Sequence, residues 1–222
     1  MLVSLATPTA HAAPAARSAR PIDPGGGSLV AYVKEGHGVA LLARPGGRRL
    51  GVVGAFTEFG TRQALPVVRT RGRWLGVVAT SLPNGRVGWL DSASGSVAFG
   101  RVRVRLDADL SQQVLRVRVG DRVARRIRLG VGRAGSRTPT GRFSITDKLR
   151  GPDYGSYYGC CILALSGHQT HLPRGWKGGN RLAIHGGSTA GAVSAGCLHA
   201  STRDLRYLMR VVPVGTQVVI HA

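Results

Sequence analysis

The residues best equipped for chemistry lie between Asn180 and Ala200, in N-R-L-A-I-H-G-G-S-T-A-G-A-V-S-A-G-C-L-H-A. A short apolar run, Leu182-Ala183-Ile184, delivers His185 to a Gly186-Gly187 corner. A small-residue loop then leads to Ser194-Ala195-Gly196-Cys197-Leu198-His199. Cysteine attacks as a thiolate, and a nearby imidazole is the usual means of generating one at neutral pH. Gly196 lets a substrate carbonyl approach because nothing projects from its Cα, and the amides of Gly196 and Cys197 are expected to face a developing oxyanion. No Asp or Glu occurs between Tyr154 and Arg203. His185 is therefore expected to be oriented by a backbone carbonyl or a neutral side chain. The loop also lacks the carboxylate that a metallohydrolase usually employs as ligand or base. His168 and His171, in S-G-H-Q-T-H-L-P, share that lack of an acidic partner, so substrate contact or plain exposure is expected of them rather than zinc ligation.

These residues resemble the catalytic motif of the L,D-transpeptidases, the YkuD-like domain that cross-links bacterial peptidoglycan. The family pattern is a His followed by Gly or Ser, a variable loop, then Ser/Thr-His-Gly-Cys-hydrophobic-Asn/Arg. The matches are His185, Gly186, Ser194, Gly196, Cys197 and Leu198; outside the loop, Thr138-Pro139-Thr140-Gly141-Arg142-Phe143 resembles the family's T-P-T-G-x-F turn, and Val212 to Val218 its closing strand. Ala195 departs from the pattern by replacing the motif histidine, and His199 stands where Arg or Asn is commoner. The resemblance implies that Cys197 is the nucleophile and His185 the base, with Gly196 beside them; Ser194, Gly186, Gly187 and His199 of the same loop, and Tyr158 and His168 of the segment before it, are the expected substrate contacts. It implies no metal and no cofactor. The reaction it implies releases the terminal D-amino acid of a tetrapeptide stem and passes the acyl group to an amine of a second stem. The alternatives are hydrolysis of the same thioester by water, as in an L,D-carboxypeptidase or endopeptidase, and a non-catalytic wall-adhesion protein.

The elements that must carry this site read as mainly β. A small SH3-like barrel is expected over 28–94, followed over 95–222 by a β-sandwich-type L,D-transpeptidase catalytic domain with one or two short helices. In the first, 39–42, 50–54, 64–68 and 74–78 are strand candidates and Pro83-Asn84-Gly85-Arg86 is a turn. Its R-W-L-x-V…N-G-x-x-G-W-L pattern resembles bacterial SH3-like domains, with Trp74 and Trp89 expected to fill the barrel core. In the second, 102–106 and 114–119 alternate strictly, and Gly120-Asp121 is the turn into 123–129. Residues 133–142 read as a turn-rich connection, and 147–177, with Tyr154, Tyr157 and Tyr158, as a substrate-side wall or lid in which Trp176 packs. Ser201 to Arg210 reads as a helix with a capping box completed by Asp204, its positive end near Cys197 and favouring thiolate. Cys160-Cys161 reads as two buried thiols on opposite faces of a strand, because neighbouring residues bridge only with strain; a disulfide, which an exported setting favours, is the alternative.

The chain has 222 residues, a formal charge of +21 and three cysteines. Nearly all the basic charge is arginine, which points to genome composition or to adhesion to a polyanion such as an anionic wall polymer. Aromatics, at 5%, are too few for a base-stacking platform, and nucleic acid is not an expected partner. Residues 1–27 read as a clipped export signal followed by a flexible linker, with Ala10-His11-Ala12 as the cleavage signal. No run approaches the roughly 20 apolar residues of a membrane span. An exported, wall-associated protein, of Gram-positive type, acting on peptidoglycan stem peptides is the expectation.

Overall fold

A computed structural model describes residues 27–222, so the expected export signal lies outside the described residues. The chain opens with β1 (Ser28–Val33), β2 (Val39–Leu42), β3 (Arg49–Val53), β4 (Ala64–Arg71), β5 (Trp74–Val77), β6 (Gly88–Asp91) and β7 (Val97–Val102). They form one sheet in the order β3-β2-β6-β5-β4-β1-β7, with antiparallel pairing. The turn at Pro83 closes as its residues require, with the Arg86 amide donating to the Pro83 carbonyl at 3.0 Å and Gly85 taking the positive φ. The core of this sheet is aliphatic, built on Leu41, Leu65, Val67, Val77 and Leu90. Trp74 and Trp89 are only half-buried and stand outside that cluster. The expectation that they fill the core is corrected: Arg73 instead covers the Trp74 ring from 5.5 Å. The sheet also extends past the expected boundary, since β7 pairs with β1 from Val33↔Val97 to Ser28↔Val102. The alternating run 102–106 is broken at Arg103, where the chain passes from one sheet to the other.

The remainder folds as β8 (Val104–Asp109), β9 (Val114–Val119), β10 (Arg122–Arg128), β11 (Val131–Gly132), β12 (Gly141–Arg150), β13 (Cys161–His168), β14 (Arg181–Gly186), β15 (Ala192–Ser194), β16 (Leu198–Ala200), α1 (Thr202–Val211) and β17 (Gln217–His221). Eight of these strands form a sheet ordered β10-β9-β8-β17-β12-β13-β14-β16, and β11 pairs with β15 beside it. Period-two alternation sets the faces: Leu115 and Val117 of β9 are fully buried while Arg116 and Arg118 remain half-exposed. Gly120 makes the turn into β10. β13 is buried along nearly its whole length, as befits a strand flanked on both edges by β12 and β14 and packed against α1. Much of the stretch read as connection and lid is thus regular: β12 and β13 occupy the sheet interior, and two short 3₁₀ turns, Gly151–Asp153 and Ser156–Tyr158, link them.

The protein is mainly β, with a single α-helix among the described residues. The Ser201 hydroxyl caps α1 by accepting from the Asp204 amide at 3.2 Å. The other half of the expected box differs. The Asp204 carboxylate accepts from the Ser201 hydroxyl at 2.7 Å and from the Arg125 guanidinium at 2.6 Å, anchoring the helix start to β10. Leu205 and Leu208 are fully buried, and they belong to a core that also holds Leu106, Phe143, Leu163, Ile184 and Val218.

Candidate active site

β14 and β16 run parallel, with Ile184 opposite Leu198 and His185 opposite His199. Residues opposite one another, and residues two apart on one strand, share a face of a sheet. Ala183, His185, Cys197 and His199 therefore belong to one face. His199 stands directly across from His185, and Cys197, at the entry to β16, lies on the diagonal. Cys197 and His185 line one cavity of about 60 Å³ together with Tyr157, Tyr158, Gln169 and Trp176. Two residues twelve positions apart in the chain are thus joined by one parallel pairing.

His185 is 1% exposed, and its Nδ1 lies 2.7 Å from the Gly186 carbonyl. A carbonyl only accepts, so Nδ1 carries the proton and Nε2 is left with the lone pair of a base. A backbone carbonyl is thus the orienting group, one of the two kinds expected where no acidic residue is near in the sequence. Burial drives the His185 imidazole down to about 4; the Gly186 carbonyl opposes this and the His199 imidazole adds to it. Burial likewise pushes the Cys197 thiol up to about 11, against a smaller opposing effect of the Ala183 amide, and Sγ–H points to the Arg181 carbonyl at 3.9 Å. A neutral thiol thus shares the cavity with a neutral imidazole.

The turn before Cys197 is tightly made. The Ser194 hydroxyl donates to the Cys197 carbonyl at 2.6 Å and accepts from the Gly196 amide at 3.0 Å. Ser194 therefore shapes the turn, and the Gly196 amide is already engaged, which corrects the expectation that it faces an oxyanion. Gly196 has a φ of +125°, and any side chain on it would collide with Gln169. Gln169 is 4% exposed, and its amide donates to the carbonyls of Ala195 at 2.9 Å, Arg137 at 3.0 Å and Ser136 at 3.2 Å. It ties the turn before Cys197 to the loop before β12.

Gly186 presses against Tyr158 and Gly159, and Gly187 against the His199 ring; neither has room for a side chain. The His185 and His199 rings lie 4.7 Å apart, and Tyr157 and Tyr158 pack on His185 at 5.3 and 5.0 Å. His199 is 4% exposed, and neither ring nitrogen makes a well-formed hydrogen bond among the described residues. Burial lowers its imidazole, with the Ser188 carbonyl offsetting part of that effect. His168 is placed elsewhere: its Nε2 donates to the Thr80 carbonyl at 2.8 Å, while its amide donates to Asn84 Oδ1 at 2.9 Å. It fastens β13 to the first sheet and lies outside the cavity lining. Cys160 and Cys161 are also corrected, being joined to each other as a disulfide at the end of the tyrosine segment. Gln169 was not legible as a site residue; its three acceptors come from two separated places in the chain, Ser136-Arg137 and Ala195, and only the folded register unites them.

The L,D-transpeptidase catalytic domain model of the YkuD family matches residues 103–220. A Bacillus subtilis (strain 168) protein provisionally named L,D-transpeptidase YkuD is 33% identical over 112 residues, covering 50% of this chain and 62% of that one. Its Bacillus licheniformis counterpart is 32% identical over 120 residues, covering 52% and 64%. The chain thus spans less than two thirds of these relatives' length. Among solved structures, Mycobacterium tuberculosis L,D-transpeptidase 3 with a faropenem-derived adduct is 14% identical, covering 72% of this chain and 74% of that one at a TM-score of 0.45. Bdellovibrio bacteriovorus Bd1075 is 21% identical over 54% and 48%, at a TM-score of 0.43.

Proposed function

The chain belongs to the YkuD family of L,D-transpeptidase catalytic domains, and from that premise we propose that it is a cysteine-dependent acyltransferase acting on peptidoglycan stem peptides. The observation that carries this reading is the single cavity lined by both Cys197 and His185, with the His185 tautomer set by the Gly186 carbonyl. Cys197 Sγ attacks the carbonyl preceding the terminal D-amino acid of a tetrapeptide stem, and His185 Nε2 takes the thiol proton as the carbon–sulfur bond forms. Because both groups rest neutral, proton transfer accompanies attack. The Cys197 amide is the candidate donor to the oxyanion, a contact typically worth about 3 kcal/mol. Collapse of the tetrahedral intermediate expels the D-amino acid, which leaves as an amine after taking the proton back from His185. The side-chain amine of a second stem then attacks the thioester, forming the cross-link and freeing the thiol. The charge of +21 supports a wall-associated setting. For the first sheet we propose an SH3-like spacer or wall-binding role.

Intact-mass measurement with a disaccharide-tetrapeptide tests the reaction. The wild type is expected to release the terminal D-residue and form a cross-linked dimer, and to be acylated by a carbapenem. Cys197→Ala is expected to lose all three. Turnover retained by that variant removes the nucleophile assignment, and cleavage without dimer formation assigns water as the acceptor.

A further inference from the structure

A larger cleft of about 380 Å³ opens beside the cysteine's cavity, lined by Arg133, Tyr157, Arg174, Trp176, Val193 and Ala195 among others. Tyr157, Trp176 and Ala195 line both spaces. Ala195 is the position at which the motif departs from its usual histidine, so at that point the junction between Tyr157 and Trp176 carries a methyl group in place of an imidazole. Two guanidinium groups face this cleft, and neither makes an ion pair or side-chain hydrogen bond among the described residues. No acidic residue lies between Tyr154 and Arg203 to neutralise them.

Both arginines are carried on backbone that is already fixed. The Arg133 amide donates to the Ser194 carbonyl at 3.0 Å, next to the pairing of Gly132 with Ser194 that joins β11 to β15. Its position is therefore referenced to the turn that holds Cys197. Arg174 lies in a turn closed by the Trp176 amide on the Pro173 carbonyl at 3.1 Å and by the Trp176 indole on the Gly179 carbonyl at 3.0 Å. The positive charge of Arg133 is felt at the Tyr157 phenol, where it opposes the upward push of burial and of Cys197.

We propose that this cleft is a carboxylate-binding subsite, in which Arg133 and Arg174 hold a carboxylate of the donor stem while Tyr157 and Trp176 wall its backbone. The inference rests on the acyltransferase reading and adds to it the part of the substrate recognised. A guanidinium matches a carboxylate in two parallel hydrogen bonds. A cationic pair in a cleft that adjoins the thiol's cavity is suited to the terminal carboxylate of the residue that departs. The diamino acid's own carboxylate is the other source of the same chemistry.

Calorimetry with the catalytically inert Cys197→Ala protein separates these, using a tetrapeptide stem, the same stem amidated at its C-terminus, and the stem amidated at the diamino acid. Arg133→Gln and Arg174→Gln, each added to that background, are expected to weaken binding of the free acid about 10-fold and to leave the relevant amide unaffected. Arg126→Gln, an exposed β10 arginine, removes the same charge elsewhere and is expected to change nothing. Sensitivity to C-terminal amidation identifies the departing residue's carboxylate, and sensitivity to diamino-acid amidation identifies the other. Equal binding of all three stems, equal affinity in the arginine variants, or no binding at all overturns the subsite. Arginine-dependent binding with no turnover by the wild type retains the subsite and overturns the acyltransferase reading instead.

Discussion

His185 and Cys197 enter the proposed reaction uncharged, and this decides how rate should follow pH. The imidazole is a competent base wherever it is unprotonated, and burial brings that range down to about pH 4. Acylation by a carbapenem is therefore expected to hold a plateau between roughly pH 5 and 9, with its acid limb near 4. An acid limb between roughly pH 6 and 7, where an unperturbed imidazole titrates, would contradict the assignment. His185→Gln is expected to slow acylation and to turn the plateau into a rise toward the thiol's own ionisation near 11. Stability follows the same shift. The folded value lies below the ordinary 6.5, so between these values the unfolded chain binds the extra proton. The stabilisation is complete above pH 6.5 and is lost as pH falls toward 4. Thermal melts across that window are expected to show a declining midpoint, less steep in His185→Gln. That Cys197 and His185 would share a cavity was legible in the residues, because cysteine, histidine and glycine types carry their chemistry with them. Their ionisation was not, because desolvation depends on what the fold places over them.

Single elements act here through the company they keep. The turn from Ser194 to Cys197 owes its shape to two internal hydrogen bonds and to Gln169, whose one amide group serves three carbonyls. Gln169→Ala leaves those buried acceptors short of a donor, at a cost on the order of 1–3 kcal/mol. Its acylation rate is expected to fall by more than its substrate affinity, as a loosened turn misaligns the sulfur. Gly196→Ala combines a disfavoured φ with a collision, and is expected to lower the melting midpoint. A Gly196→Ala protein that melts and acylates like the wild type would show that the turn has slack. The same register logic explains what the sequence conveyed about elements. Alternation revealed β8 and β9, and Ser201 with Asp204 revealed α1. β12 was hidden, since a strand buried on both faces lacks the two-residue rhythm, and β13 was read as strand only near its start at Cys161. The bond between Cys160 and Cys161 was hidden as well, because pairing of neighbours is a matter of conformation and not of spacing.

At the scale of the molecule, the two sheets are fastened behind the active site. Arg181 begins β14, supplies the carbonyl facing Cys197, and donates to Thr146 at 2.7 Å while pairing with Glu58 of the first sheet's loop. Thr57 of that loop donates to the fully buried Asp147 at 2.5 Å, and Asn84 holds His168 by both its amide and its carbonyl. The arginines are spread over many elements, with four of them on β10. Retention on an anionic wall polymer is therefore expected to fall steeply with salt, as the screening length shrinks from about 10 Å at 0.1 M to about 3 Å at 1 M. Salt-independent retention would mean that something other than the arginines holds the polymer.

β17 emerges well after both of its neighbours, yet it pairs in parallel with β8 on one side and antiparallel with β12 on the other. Until residues 217–221 arrive, both of those neighbours present a bare hydrogen-bonding edge, an invitation to pair with another chain. The crevice that unites sulfur and imidazole thus depends on a keystone laid after every stone around it, and assembly of the catalytic half should proceed as one late, non-local event.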